Sequence, residues 1–190
     1  MSKTKGTKRG KRRALRQGDL DGLCGVYSVV NACRRLTPEI DSDGASWLFS
    51  RLMRSLRKVG ANPSHAIVTG VGRNAVIALL HQAIASIEGK YDVKLAVRRL
   101  PRAQRQIKRL DELWAVLART ISSHKVAILG LGGNTSHWTV AVTVTAKQIR
   151  LFDSSRMKVL RRADCSIAET SKRTAIPPSY VIVVSRRAEV

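Results

Sequence analysis

An α+β fold is predicted by three features of this 190-residue chain. Apolar residues recur at helical spacing through its first two thirds, β-branched runs separated by turn residues fill its last third, and its size suits one domain with one core. Helices first and a mostly antiparallel sheet afterwards would pack as two faces of that core.

Taken in order, Val26, Val29, Val30, Cys33 and Leu36 recur at helical spacing, with Asn31, Arg34 and Arg35 opposite, so the spacing predicts a helix from Cys24 to about Leu36. Pro38 marks its end. A second helix is predicted over about 44–58, with Ala45, Leu48, Phe49, Leu52 and Leu56 inward, Asp43 as cap and Gly60 as stop. A third, about 72–88, would bury Val76, Leu79, Leu80, Ala83 and Ile87. Residues 93–100 alternate like a strand, and Asp111 is the expected cap of a fourth helix whose stripe is Leu113, Trp114, Leu117 and Ile121. Strands are then predicted over 126–131, 137–145, 148–153 and 180–185.

The net charge of +22 is the least ordinary number. Eight basic residues and no acid lie in residues 1–16, which hold almost nothing to bury and read as a disordered basic tail ahead of a folded domain, 17–190. Without that tail, 27 Lys and Arg still face 13 Asp and Glu. Such a field favours acidic partners, nucleic acid among them, and the tail is the expected contact. Two Phe, three Tyr and three Trp are too few for a base-stacking platform. No apolar run reaches the roughly 18–20 residues of a membrane span, and no apolar segment of a secretory signal follows the charged start. The expected compartment is the cytoplasm. The three cysteines, Cys24, Cys33 and Cys165, neither complete a disulfide framework nor cluster with histidine as zinc ligands, so no metal and no cofactor is expected.

One of those cysteines stands where chemistry is favoured. Cys24 opens a helix after a loop rich in Gly and Asp, where unpaired N–H groups and the positive end of the helix dipole stabilise a thiolate. Gly25 is expected to leave room beside the sulfur. An attacked carbonyl becomes an oxyanion that needs donors in place, and the Cys24 N–H and the Gln17 amide are candidates. Further on, His137 begins a strand after Gly130–Asn134, read as a flexible loop, and Asp153 ends the next strand. A short turn at Ala146–Lys147 would bring His137 and Asp153 to the same end of a hairpin. The carboxylate could then fix the imidazole tautomer while the other ring nitrogen faces the thiol. Gly25, Gly133 and Trp138 are the expected substrate-facing positions. Cys33, on the buried helix face, and Cys165, in a polar loop, read as structural.

Gln17, the Gly/Asp-rich loop, Cys24-Gly25 at a helix start, His137-Trp138 on a strand and Asp153 on the next strand resemble papain-like cysteine peptidases. They are most similar to the compact bacterial leader peptidases that act at double-glycine sites, and the Josephin-type deubiquitinases share a similar layout. The resemblance spans about residues 17–185, though its specific content is some thirty residues. It implies a papain-like fold with Gln17 as oxyanion-hole donor, Cys24 as nucleophile, His137 as general base and Asp153 as orienter. Leu23-Cys24-Gly25-Val26-Tyr27 departs from the Cys-Gly-Ser-Cys-Trp of plant papains, and Leu23 replaces the Asp that often precedes Cys-Gly in the leader peptidases. Those departures leave the substrate open. A peptide or isopeptide hydrolase is the expectation. Acyl transfer or deamidation by the same residues, and a non-enzymatic basic nucleic-acid-binding module, are the alternatives. Gly70-Val71-Gly72 opens a helix in a form of the dinucleotide fingerprint, but no βαβ alternation surrounds it, so it reads as a glycine-lined helix entrance.

Overall fold

The computed structural model describes residues 13–18, 22–170 and 173–187. The architecture is α+β, as predicted, but in three layers rather than two. Four helices come first: α1 (Cys24–Leu36), α2 (Ser42–Ser55), α3 (Pro63–Thr69) and α4 (Arg73–Tyr91). Strand β1 (Leu95–Arg99) and two more helices follow, α5 (Arg102–Arg105) and α6 (Leu110–Thr120). The rest is strand: β2 (Lys125–Gly133), β3 (His137–Val144), β4 (Gln148–Leu151), β5 (Val159–Arg161), β6 (Cys165–Ser166), β7 (Thr174–Ala175) and β8 (Val181–Arg186).

The main path of the sheet runs β1-β8-β2-β3-β4-β5, antiparallel throughout, and β7 joins the far end of β2. One face is covered by α1 and α4, with α2 packed against those two helices. Val26, Val29, Val30 and Cys33 of α1 meet Val126, Ile128, Val140, Ile182 and Val184 of the sheet there, all buried. The other face carries a second core in which Leu113, Trp114 and Leu117 of α6 meet Leu129, Ala141 and Ile149. The reason is strand periodicity: alternate residues of β2 point to opposite faces, both sets are apolar, and each needs a cover. A hydrogen bond of 2.7 Å from Trp114 Nε1 to the Thr145 carbonyl pins α6 in place.

Helix α1 has the bounds its spacing predicts, and all five inward residues predicted for α4 are buried. Helix α2 starts earlier than expected, because Asp41, not Asp43, is the cap: its carboxylate accepts from the Gly44 N–H at 2.8 Å. Likewise Asp111 lies in the first turn of α6, and the cap position belongs to Arg109. Gly130–Gly133 is not a loop. It continues β2, pairing Gly130 with Trp138 and Leu131 with His137 on one side and Gly132 with Ala175 on the other. Nor does ordered structure wait for Gln17. The buried Asn31 side chain accepts from the Leu15 N–H at 2.7 Å and donates to the Leu15 carbonyl at 3.1 Å, and Arg34 donates to the Arg13 carbonyl at 2.8 Å. Arg13–Arg16 therefore lie along α1, and the rest of the expected tail, residues 1–12, falls outside the described residues.

Candidate active site

Cys24 is the first residue of α1, half-buried, and its thiol donates weakly to the Gly22 carbonyl at 3.7 Å. The N-cap position is Leu23, with no side-chain cap and no acid in the first turn, and the positive end of the helix lies at the sulfur. The approach to Cys24 is fixed by a hydrogen bond of 2.6 Å from the Gly22 N–H to the Ile67 carbonyl, which ties it to the end of α3.

His137 reaches the same place from the sheet. It opens β3 opposite Leu131, and its Nε2 lies 2.7 Å from Asp153 Oδ2. Because Nε2 is so engaged, Nδ1 is the nitrogen left for Cys24, which lines the same cleft. Burial by itself would lower the imidazole pKa. The hydrogen bond and negative charge of Asp153, with Cys24 acting in the same sense, outweigh it and push His137 up to about 9.

Asp153 follows β4 by two residues and is not itself in the strand. The Phe152 N–H donates to the Val140 carbonyl at 2.8 Å, which carries the hairpin pairing forward and delivers Asp153 beside His137. Its Oδ1 accepts from the Ser155 N–H and hydroxyl, both at 2.8 Å, and from the Met157 N–H at 3.1 Å. Burial would raise this carboxyl. The hydrogen bond and charge of the His137 imidazolium, with the hydrogen bond from Ser155, prevail and hold it below the usual carboxylate range. The same turn places Gln17, whose N–H donates to the Ser154 carbonyl at 3.1 Å while the Ser154 hydroxyl donates to Gln17 Oε1 at 3.4 Å.

These side chains open onto a cleft of about 590 Å³ lined by Gln17, Cys24, His137 and Trp138, with Gly70–Gly72 on one wall and Gly130–Gly133 on another. Trp138 is held by a hydrogen bond of 3.0 Å from its Nε1 to the Val71 carbonyl and packs against Tyr180, ring centroids 5.8 Å apart. Gly133 lines the cleft with φ +74°, a left-handed conformation, and a side chain there would run into the Arg173 and Thr170 carbonyls. Gly25 is placed differently from the expectation. It is buried, and the space its missing side chain leaves is filled by Val71, Val76 and Trp138. It sets how closely α1 approaches the sheet rather than making room beside the sulfur.

Several contributors escaped the sequence reading. Ser154 anchors Gln17 and Ser155 anchors Asp153, roles that short hydroxyl side chains after a strand do not by themselves signal. Glu169 reaches over Gly132 at the cleft, with nothing in its sequence surroundings to signal it. Gly72, read as a helix entrance, is the N-cap position of α4 and also lines the cleft. Cys33 and Cys165 are both buried, Cys165 in β6 rather than in a loop. Burial pushes the Cys33 thiol up to about 12, and burial with the neighbouring Asp164 charge pushes Cys165 up to about 11. Among the described residues no cluster of three His, Cys, Asp or Glu is arranged to hold a metal ion, and no single helix is long and apolar enough to cross a membrane.

No protein-family model and no curated protein matches this sequence. Among solved structures, the Pseudomonas avirulence protein AvrPphB matches over 87% of this chain and 91% of its own, at 11% identity and a TM-score of 0.34. At that distance its properties do not carry over to this chain.

Proposed function

We propose that this protein is a papain-like cysteine hydrolase that cleaves a peptide or isopeptide bond through a thioester acyl-enzyme. One observation carries the reading: His137, bound to Asp153 through Nε2, opens onto the same cleft as Cys24 at the start of α1. An imidazolium beside the sulfur and the helix dipole behind it both stabilise a thiolate. The thiolate attacks the substrate carbonyl carbon. The resulting oxyanion is held by the Cys24 N–H and the Gln17 amide, and His137 passes its proton to the leaving amine. Water, deprotonated by His137, then cleaves the thioester. Asp153 does not react. It fixes the imidazole orientation and stabilises its charge, as a triad carboxylate does.

Acyl transfer or deamidation would proceed through the same thioester and differ in what attacks it. A peptide mixture incubated with the native chain and with Cys24→Ala, then analysed by mass spectrometry, tests the proposal. New peptide termini that appear only with the native chain support it. A Cys24→Ala protein with undiminished cleavage refutes it, and amide-to-acid exchange without new termini reassigns the site to deamidation.

A further inference from the structure

The cleft does not account for the positive charge of the folded part. Between Lys94 and Arg109 the chain carries seven basic residues and no acid, and the fold gathers this stretch at one end of the sheet. Paired residues across neighbouring strands share a face. Ala96 faces Ser185, which faces Lys125, and Arg98 faces Val183, so all five side chains stand on one surface, with Arg187 two residues past Ser185. Farther along the sheet this surface is covered by α6, but here it is open. A groove of about 390 Å³ results, with the small side chains of Ala96, Val183 and Ser185 as its floor. Pro101 and Gln104, at the start of and within α5, and Thr120 of α6 form its wall.

Arg98, Arg99, Lys125 and Arg187 line the groove, are exposed, and among the described residues pair with no carboxylate. The ion pairs of the described residues lie elsewhere, at Arg109–Glu112, Arg162–Asp111, Arg186–Glu39 and His137–Asp153. Three of the four lining cations, Arg98, Lys125 and Arg187, stand on the groove's own face of the sheet. Unneutralised cations around a concave, small-residue floor make a focused positive potential rather than a scattered one.

We propose that this groove binds the phosphate backbone of double-stranded nucleic acid. Arg98 and Lys125 stand two strands apart, roughly 10 Å across the sheet. A duplex carries one charge per roughly 1.7 Å of axis, so several phosphates fall within reach of these side chains. No aromatic residue lines the groove, which removes the stacking on which single strands depend. A membrane surface fits less well, because the exposed large apolar residues, Ile67, Val68 and Tyr180, are not in this groove. Groove and cleft lie towards opposite ends of β2. Lys125 and Leu131 are roughly 20 Å apart along the strand, so a bound duplex would leave Cys24 open. The groove would thus hold the enzyme where nucleic-acid-associated proteins are concentrated. The binding itself does not depend on the proposed hydrolysis.

The test is fluorescence anisotropy of a labelled 20-bp DNA duplex with the full chain, titrated between about 50 and 200 mM salt. In R98Q/K125Q/R187Q the slope of log K against log salt should fall by about 3, and affinity near 100 mM salt should weaken roughly tenfold or more. K125Q alone should lower the slope by about 1. The thermal midpoint and the alkylation rate of Cys24 should not move, which separates this result from the fate of the active-site proposal. A matched variant, R54Q/R57Q/K58Q, removes three exposed cations at the end of α2 and beyond it. Equal loss in both variants would mean bulk charge and would overturn the groove. Unchanged slope and affinity in the groove variant would also overturn it. So would a loss confined to anionic phosphatidylserine vesicles with duplex binding intact, which would reassign the surface to membranes.

Discussion

Cys24 and Cys33 sit on one helix nine residues apart, and the contrast between them separates the proposed reactive position from the residue type alone. Cys33 lies in the body of α1, fully buried against apolar neighbours, its thiol pushed up to about 12 by the loss of water. Cys24 occupies the first turn of the same helix and opens onto the cleft that His137 also lines. Their covalent chemistry is identical. The helix end, the access and the histidine are what differ, so each can be removed separately.

The largest expected effect comes from the sulfur. Cys24→Ala should abolish turnover with the fold intact, whereas Cys33→Ala should leave turnover in place and lower stability by a fraction of the roughly 2–5 kcal/mol that larger core truncations cost. Cleavage assays paired with urea melts read both. Removing the histidine comes next. His137→Ala should reduce turnover by about 10²–10⁴-fold, the usual contribution of a positioned acid–base group. Asp153→Ala should cost less than His137→Ala, because Asp153 orients the ring and does not itself react. A smaller effect still concerns how α1 is seated. Gly25→Ala forces a methyl into Val71 and Val76 and should destabilise the fold by about 1–3 kcal/mol, seen as a lower thermal midpoint.

The last of these tests uses pH. His137 titrates near 9 in the folded chain and near 6.5 when unfolded. Its stabilising contribution is therefore complete below about 6.5 and is lost as pH rises towards 9. The thermal midpoint should fall across that window, and His137→Phe should flatten the fall. Asp153 acts in the opposite sense, since its depressed carboxyl contributes above its unfolded value and that contribution is lost as acid is added.

Much of this arrangement was legible because it is local. Helix α1 could be bounded from its apolar spacing, and an antiparallel hairpin requires His137 and Asp153 to share an end. What depended on distant partners was not legible. The glycines of Gly130–Gly133 look like a loop until Trp138 and Tyr180 are seen packed against Gly130, where a side chain would collide with both. Gly25 reads as a substrate-facing gap until Val71 arrives from a segment forty-six residues away to fill it. Asp41 and Asp43 offer the same chemistry as caps, and only the backbone angles decide between them. The second core under α6 was hidden because a strand buried on both faces shows no alternation.

The central claim is that Cys24 is activated by its place at the start of α1 and by His137. Iodoacetamide alkylation resolved at each cysteine by mass spectrometry, from about pH 4 to 9, tests it most directly. The account predicts that Cys24 alone reacts quickly at about pH 6, that Cys33 and Cys165 stay slow throughout, and that His137→Ala removes the difference. A Cys24 as slow as the two buried thiols across the whole range would contradict it.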